Sequence, residues 1–549
     1  MSNGVADQSI PSGSQQSAGG VIAGGADLSR NITVGDLLRE AARDAGDRIA
    51  LVDGVADPDM RRRWTYFELV ETCETLAHAL LKRFQPGDRI AICSPNCPEW
   101  VMLQFGVAMA GMVLVPVNPA YREAELAMIL EDCEAAGLFH ADSWRGNDLG
   151  AAAAGLRNTA LPRLVTISLS QWNEFLASGS EAGAALPPVR PEDAVMIQFT
   201  SGTTGRPKGA ILHHGLINPP RHVADCCDFP RHGVWLNSMP MYHIGGSSVS
   251  LMATVSRHGV FVQMREWDPV LALELIQAER CNGMLLVPTM VVAMLDEPHF
   301  ESYDLSTIDF ILTGAAPVPP ALLERATERI GCRLMICFGL TEAGGPVCNT
   351  AIGDGAYELA HTLGRALPDL EIEIRNPETQ AEMPTGERGE MWVRGPQIMR
   401  GYYGREEETR AAITPDGWLR SGDLAMKDER GYVSITGRLK DMIIRGGMNI
   451  YPREVEDVLF NHPSVSQAAV VGIPHEKWGE IVLAVVQAAE GHELNYEELR
   501  QHCRDRLASF KVPAMWCQTD SYPLNPTGKI QKFALVDWVR EGRLSPCSV

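Results

Sequence analysis

The sequence lacks the cysteine patterns that mark zinc sites and redox pairs. Its 13 cysteines are scattered over 549 residues, and no Cys-x-x-Cys pair occurs among them. An odd number of dispersed cysteines is typical of a protein kept in a reducing compartment. The N-terminus also lacks a basic start followed by an apolar stretch, so no secretory signal is predicted. These absences together favour a cytoplasmic location.

An excess of positive charge is also missing. The chain carries 48 Lys and Arg against 69 Asp and Glu, which gives a formal net charge of -21. A broad negative field repels polyanions, so we expect no nucleic-acid partner. A local basic pocket can still hold the phosphates of a nucleotide. The sequence leaves open whether the chain forms a homo-oligomer.

No apolar run is long enough for a membrane span. The best candidate, residues 101–117, is interrupted by Gln104, Gly111 and Pro116. A spanning helix needs about 20 consecutive apolar residues. We therefore predict a buried helix that leads into a strand, and no membrane span.

Three regions follow from composition and periodicity. Residues 1–30 are rich in Ser, Gly, Ala and Gln, and cannot bury enough apolar surface to offset their ordering entropy. We expect a disordered tail there. Helical and strand patterns then alternate, as in the helix predicted over 65–84 and the strand at 113–115. Such alternation predicts layered α/β structure with parallel strands.

The sequence pattern of helices and strands changes near Gly437. Beyond it, residues 454–459 and 496–507 are typical of helices, and residues 468–471 and 481–486 are typical of strands. The predicted fold is therefore α/β. A large N-terminal domain of layered α/β subdomains spans residues 31–437, and a small mobile α+β C-terminal domain spans residues 438–549.

The strongest local motif is a loop rich in Gly, Ser and Thr. It covers residues 200–209, directly after the apolar run at 195–197. Glycines allow backbone N–H groups to converge on an anion, hydroxyls add donors, and Lys208 adds a positive charge. Arg206 and Pro207 separate Gly205 from Lys208, and Gly209 follows the lysine, so the loop is not a Walker A motif.

This loop resembles the phosphate loop of the adenylate-forming superfamily, which includes acyl-CoA synthetases, peptide-synthetase adenylation domains and beetle luciferases. Further segments resemble the other motifs of that superfamily, in the same order and over nearly all of the chain after the tail. They are residues 240–246, 314–317, 338–342, 418–423, 437–441, 446–456 and 525–529. Among its branches, the chain is most similar to the acyl-CoA synthetases and fatty-acid–CoA ligases.

The resemblance implies a set of ATP- and AMP-binding residues. These are Thr200, Ser201, Gly202, Thr203, Thr204, Gly205, Lys208, Gly314, Ala315, Ala316, Pro317, Phe338, Gly339, Leu340, Thr341, Asp423 and Arg438. The two carboxylate oxygens of Asp423 suit the two hydroxyls of a ribose, and the flat ring of Phe338 suits adenine. Thr203 and Glu342 offer the hard oxygen ligands that Mg²⁺ prefers.

Lys529, Glu342 and His243 are the implied catalytic residues. The carboxylate of the acid must attack the α-phosphorus of ATP, and a lysine ammonium between the two anions would stabilise the transition state. Lys440 stands at the implied hinge, and Gly446 and Gly447 at the implied CoA-facing loop. The residues implied for the acyl pocket are Tyr242, His243, Gly245, Gly246, Gly344 and Gly345.

The implied reaction joins a carboxylic acid to CoA through an acyl-adenylate, with release of AMP and pyrophosphate. ATP, Mg²⁺ and CoA as co-substrate are therefore expected. The pocket glycines predict a fatty, aryl or bulky polycyclic acid, because they leave space and no charged residue beside them suits an amino group. Three alternatives stay open. They are an enzyme of one half-reaction, either acyl-AMP formation for a carrier protein or CoA transfer to a preformed acyl-AMP; a luciferase-type oxidative enzyme; and a non-catalytic nucleotide-binding module.

Overall fold

The computed structural model describes residues 31–180, 185–200, 207–314, 318, 320–524 and 530–549. Its helices are α1 (Val34–Ala45), α2 (Tyr66–Leu81), α3 (Pro98–Met109), α4 (Glu123–Asp132), α5 (Leu149–Asn158), α6 (Trp172–Ala177), α7 (Asn218–Cys226), α8 (Leu251–Ser256), α9 (Pro269–Glu279), α10 (Pro288–Leu295), α11 (Pro320–Ile330), α12 (Ala356–His361), α13 (Glu406–Ala412), α14 (Pro452–Phe460), α15 (Tyr496–Arg504) and α16 (Lys532–Arg540).

The strands in the first half are β1 (Ile49–Gly54), β2 (Arg63–Thr65), β3 (Arg89–Cys93), β4 (Val113–Val117), β5 (Gly137–His140), β6 (Ser143–Trp144), β7 (Asn147–Asp148), β8 (Val165–Ser168), β9 (Ala194–Thr200), β10 (Lys208–His213), β11 (Val234–Asn237) and β12 (Val260–Met264). Those in the second half are β13 (Gly283–Leu286), β14 (Phe310–Gly314), β15 (Arg333–Leu340), β16 (Gly345–Asn349), β17 (Arg365–Ala366), β18 (Glu371–Arg375), β19 (Gly389–Arg394), β20 (Leu419–Lys427), β21 (Val433–Arg438), β22 (Ile443–Arg445), β23 (Met448–Ile450), β24 (Val465–His475), β25 (Gly479–Ala488) and β26 (Met515–Gln518).

Two large sheets build the N-terminal domain. One has the strand order β17-β16-β15-β14-β13-β11-β12-β1-β2, and the other has the order β10-β9-β4-β3-β5-β8. Their central strands pair in parallel, as β13 does with β14 and β3 does with β4, while β9 and β10 are antiparallel at an edge. The predicted α/β class is thereby confirmed. The parallel arrangement also brings the carboxyl ends of several strands to one side of each sheet, where loops can meet a ligand.

The apolar stretch at 101–117 is the buried helix and strand that the sequence predicts. In α3, Trp100 and Phe105 are fully buried, and β4 is buried along its whole length. Gly106 allows α2 to pack closely, since a Cβ atom there would lie 2.8 Å from the side chain of Leu76. Within the residues that the structure describes, no helix is long and apolar enough to cross a membrane.

A smaller antiparallel sheet, β18-β19-β20-β21, follows the two large ones. After it the chain forms the C-terminal domain, in which β22 to β26 make one sheet. Trp516, Val455 and Leu459 lie in one apolar cluster of this domain, and Leu483 and Leu535 lie in a second. The predicted large and small domains are present. The boundary placed at residues 437 and 438 stays a prediction.

Burial of a histidine makes the N-terminal domain sensitive to acid. His214 is 1% exposed, its Nδ1 accepts a hydrogen bond of 3.0 Å from the backbone N–H of Val34, and burial lowers its pKa to about 4. In the unfolded chain the same imidazole takes up a proton near pH 6.5. The stabilisation from neutral His214 is therefore complete above about pH 6.5 and is lost as the pH falls towards 4.

We expect this group to lower the free energy of unfolding by up to about 3 kcal/mol between pH 6.5 and 4. His214→Gln should flatten that part of the pH profile in urea unfolding. His492→Gln, at an exposed histidine, is the control and should keep the wild-type slope. An unchanged slope in His214→Gln would show that other groups cause the acid sensitivity.

Candidate active site

The two strands that flank the phosphate loop bring its ends to one carboxylate. Thr200 ends β9 and pairs with Lys208 at the start of β10. The hydroxyl of Thr200 donates to Oε1 of Glu342 over 3.4 Å. Residues 201–206, which include the predicted Ser201, Gly202, Thr203, Thr204 and Gly205, lie outside the described residues. The stem of the loop and Glu342 are nevertheless brought together.

Glu342 lies in a short 3-10 helix, Thr341–Ala343, directly after β15. The phenol of Tyr402 donates a hydrogen bond of 2.9 Å to its Oε1. Burial, together with the negative charge of Glu342, raises the pKa of Tyr402 well above its ordinary value, so the phenol stays protonated and donates. The ammonium group of Lys208 lies 5.2 Å from the centre of the Tyr402 ring.

Sequence reasoning missed Tyr402. It follows a glycine in a stretch rich in turn residues, about 60 positions after Glu342, and no spacing links the two. The only signal was an aromatic residue in a segment that otherwise reads as a surface loop.

The candidate adenine segment lies where β14 and β15 run side by side. Gly314 ends β14, and a Cβ atom there would lie 2.1 Å from the carbonyl oxygen of Cys337. Gly339 is packed as tightly, since a Cβ atom would lie 2.5 Å from the carbonyl oxygen of Gly345. Phe338 is partly exposed on β15, with Leu340 and Thr341 following. The predicted Ala315, Ala316 and Pro317 lie outside the described residues.

A buried acid is held at the candidate ribose position. Asp423 on β20 is 2% exposed, and its Oδ1 forms an ion pair with Arg438 on β21, 2.9 Å from Nε. The two residues are direct cross-strand neighbours. The hydroxyl of Ser421 accepts from the backbone N–H of Asp423 at 3.0 Å. The carboxylate is thus oriented by a guanidinium whose own side chain is about half-exposed.

Tyr242 and His243 precede a π-helix, Gly245–Ser250. Nδ1 of His243 accepts a hydrogen bond of 3.1 Å from the backbone N–H of Gly245, so the neutral imidazole carries its proton on Nε2. The side-chain amide of Gln198 on β9 donates 2.9 Å to the carbonyl oxygen of Tyr242. π-Helical turns are frequent at functional sites, and this one begins at Gly245, a residue of the candidate acyl pocket.

The four candidate pocket glycines have different structural reasons. At Gly246 a Cβ atom would lie 2.6 Å from the carbonyl oxygen of Pro240, and Gly344 has a φ of +72°. Close backbone approach and a left-handed conformation explain these two, rather than room for a ligand. At Gly245 a Cβ atom would lie 3.2 Å from Nδ1 of His243. Gly345 has a φ of +123°, which favours glycine, and a Cβ atom there would be in van der Waals contact, 3.7 Å from Oγ of Ser248.

Lys440, Gly446 and Gly447 lie at the surface. Lys440 is exposed in a 3-10 turn, Leu439–Asp441, between β21 and β22. Gly446 and Gly447 form the exposed turn of the β22–β23 hairpin, with φ of +58° and +79°. Lys529, in the segment 525–529, lies outside the described residues.

Known proteins match the chain over most of its length. The AMP-binding enzyme family matches residues 38–403, and the AMP-binding enzyme C-terminal domain matches residues 454–529. "Putative acyl-CoA synthetase YngI" of Bacillus subtilis is 36% identical over 92% of this chain and 96% of its own. A Rhodococcus jostii 3-[(3aS,4S,7aS)-7a-methyl-1,5-dioxo-octahydro-1H-inden-4-yl]propanoyl:CoA ligase is 34% identical over 92% and 98%.

The fold of the chain also superposes on solved structures. A Mycobacterium tuberculosis fatty acyl CoA synthetase superposes with a TM-score of 0.75, at 30% identity over 93% of this chain and 99% of its own. ATP-bound MatB from Rhodopseudomonas palustris superposes with a TM-score of 0.82, at 28% identity and the same coverage. With a shared fold and a family match over two thirds of its length, the chain belongs to the AMP-binding enzyme family.

Proposed function

We propose that the protein is an ATP-dependent acid–CoA ligase that works through an acyl-adenylate. It converts a carboxylic acid, ATP and CoA into acyl-CoA, AMP and pyrophosphate. The observation that carries this proposal is the meeting of both ends of the phosphate loop with Glu342, since Thr200 bonds to that carboxylate and Lys208 lies on the ring of its partner Tyr402. Magnesium-bound phosphates need positive charge, hydroxyl donors and a carboxylate close together, and the two ends of this loop bring such groups together.

The residues divide the work of the first step. Lys208 and the loop would hold the phosphates of ATP, and the oxygen atoms of Glu342 and Thr203 suit Mg²⁺, which neutralises phosphate charge when bound. Asp423 would accept hydrogen bonds from the ribose hydroxyls, while Phe338 would offer its ring to adenine. His243 would donate from Nε2 towards the acid carboxylate. Lys529 would bridge the carboxylate and the α-phosphate as the bond between them forms.

In the second step, after pyrophosphate has been released, a thiol takes the acyl group from the adenylate. The thiol of CoA loses its proton to solvent, the thiolate sulfur attacks the acyl carbonyl, the bond to the adenylate oxygen breaks, and AMP leaves with both electrons. Gly446 and Gly447 lack side chains that would obstruct a narrow pantetheine arm. Between the steps, residues 438–549 would rotate against residues 31–437 about Lys440. This rotation would move Lys529 away from the phosphate and bring the turn at Gly446 and Gly447 to the pantetheine arm.

An apolar acid, fatty or ring-bearing, is the substrate we propose. A Cβ atom at Gly345 would be in van der Waals contact with Ser248, Ile244 and Val249, and none of these side chains carries a charge. Relatives named for a medium-chain acyl-CoA ligase and for a ring-bearing propanoyl:CoA ligase point to the same class. We place the enzyme in the cytoplasm, where ATP and CoA are available.

A coupled screen tests this proposal. The purified enzyme would be incubated with MgATP, CoA and, in turn, octanoate, benzoate, a bicyclic alkanoate, malonate or phenylalanine, with AMP and thioester measured separately. We expect equal amounts of AMP and thioester from one of the first three acids. AMP-forming turnover confined to malonate or phenylalanine would overturn the apolar assignment. Adenylate without thioester would identify an enzyme of the first half-reaction alone.

A further inference from the structure

Residues 399–403, here called the strap, connect the phosphate loop to Glu342. The strap pairs with β10 through its backbone: Arg400 N–H donates to Ile211 O, Ile211 N–H donates to Gly401 O, and Tyr403 N–H donates to Gly209 O, at 2.9, 2.9 and 2.8 Å. We therefore expect the strap to move together with β10, the strand that carries Lys208.

The strap also holds Glu342 at two points. The backbone N–H of Met399 donates to the carbonyl oxygen of Glu342 at 2.8 Å, and the phenol of Tyr402 donates to Oε1 at 2.9 Å. The backbone N–H of Tyr402 is itself fixed by Oγ1 of Thr409 at 2.9 Å. Both the main chain and the side chain of Glu342 are thus oriented from the same five-residue segment.

We propose that Tyr402 is a positioning residue that orients Glu342 for magnesium-bound ATP. This inference rests on the proposed function. Tyr402 and Thr200 both donate to Oε1. Among the residues that the structure describes, no hydrogen bond is made to Oε2. That oxygen is therefore the one left to ligate a metal, and its direction is set by the bonds to Oε1.

The ring of Tyr402 adds a second constraint. It carries the Lys208 ammonium on its face, 5.2 Å from the ring centre, while its hydroxyl bonds to the carboxylate. The Lys208 ammonium and the Glu342 carboxylate are therefore both in contact with one rigid aromatic side chain. Without it, Lys208 and Glu342 could approach each other and neutralise their charges before ATP binds.

Tyr402→Phe tests this role, because it removes the hydroxyl and keeps the ring. Tyr403→Phe is a matched control, since the neighbouring phenol donates 2.8 Å to Oε2 of Glu134, away from the site. Mn²⁺ would replace Mg²⁺, and its binding together with ATP would be measured by electron paramagnetic resonance. We expect Tyr402→Phe to weaken Mn²⁺–ATP binding about tenfold, as loss of a hydrogen bond to a charged group does, with Tyr403→Phe near wild type.

A double-mutant cycle separates positioning from general damage. In a Glu342→Gln background, Tyr402→Phe should cause little further loss, because its effect passes through the carboxylate. ATP binding without metal and the KM for the acid should change less than twofold in Tyr402→Phe. Wild-type Mn²⁺–ATP affinity in Tyr402→Phe, or fully additive losses in the double variant, would overturn the proposal. Failure of the wild-type protein to bind Mn²⁺–ATP would instead overturn the proposed function.

Discussion

Lys529→Ala is expected to slow acyl-AMP formation by roughly 100- to 1000-fold or more, because one preorganised cation in a transition state contributes on that scale. Two anions, the acid carboxylate and the α-phosphate, must approach each other in this step. Thioester formation from supplied acyl-AMP should stay largely intact, since that step needs no cation between carboxylate and phosphate. Pyrophosphate exchange measures the first half-reaction, and CoA-thioester formation from synthetic acyl-AMP measures the second.

The neighbouring Lys532 supplies the control for this experiment. Its ammonium group lies 2.6 Å from Oε1 of Glu456, so it is engaged within the C-terminal domain. Lys532→Ala should leave the ratio of the two half-reactions unchanged, even if the variant is less stable. If Lys529→Ala lowers both half-reactions equally, the role assigned to Lys529 is wrong.

Asp423→Asn should weaken ATP binding by about tenfold or more, because a charged hydrogen-bond acceptor for the ribose is lost. The substitution keeps the shape of the side chain but also removes the charge that orients Arg438 at 2.9 Å. Calorimetric titration with ATP in the absence of the acid, when no reaction can follow, gives the affinity directly. The KM for the acid should change much less.

Glu371→Gln is the matched control for Asp423→Asn. Glu371 lies in the same small sheet and pairs with Arg394 at 2.7 Å, but that pair is exposed. An exposed pair contributes little to stability, so this variant should retain wild-type nucleotide affinity. Equal ATP affinity in Asp423→Asn and wild type would contradict the ribose assignment.

Much of the fold follows from local patterns in the sequence. The helix predicted at 65–84 is α2, which starts after Thr65 because Thr65 and Glu68 form a capping box. The helix at 454–459 lies inside α14. The strands predicted at 468–471 and 481–486 are shorter than β24 and β25, which pair from Val465 to His475. The outer end of β24 contains Gly472 and Pro474, so composition alone hides the pairing there.

The candidate site is less predictable, because its key contacts join distant segments. The resemblance to family motifs predicts roles for Glu342 and Asp423, but the hydrogen bond from Tyr402 depends on the strap lying beside β10. From the sequence alone, the missing side chains at Gly246 and Gly344 could be interpreted as leaving space for the acid. Only the distance to Pro240 and the left-handed backbone show that these positions need glycine for the fold.

Isotope transfer from the acid tests the central claim most directly. The acid that the enzyme turns over would be labelled with ¹⁸O in its carboxylate, and the products would be analysed by mass spectrometry. Attack of that carboxylate on the α-phosphorus, followed by thiol attack on the acyl carbonyl, predicts AMP that carries one ¹⁸O atom. Label in inorganic phosphate together with ADP, or unlabelled AMP, would contradict the acyl-adenylate mechanism.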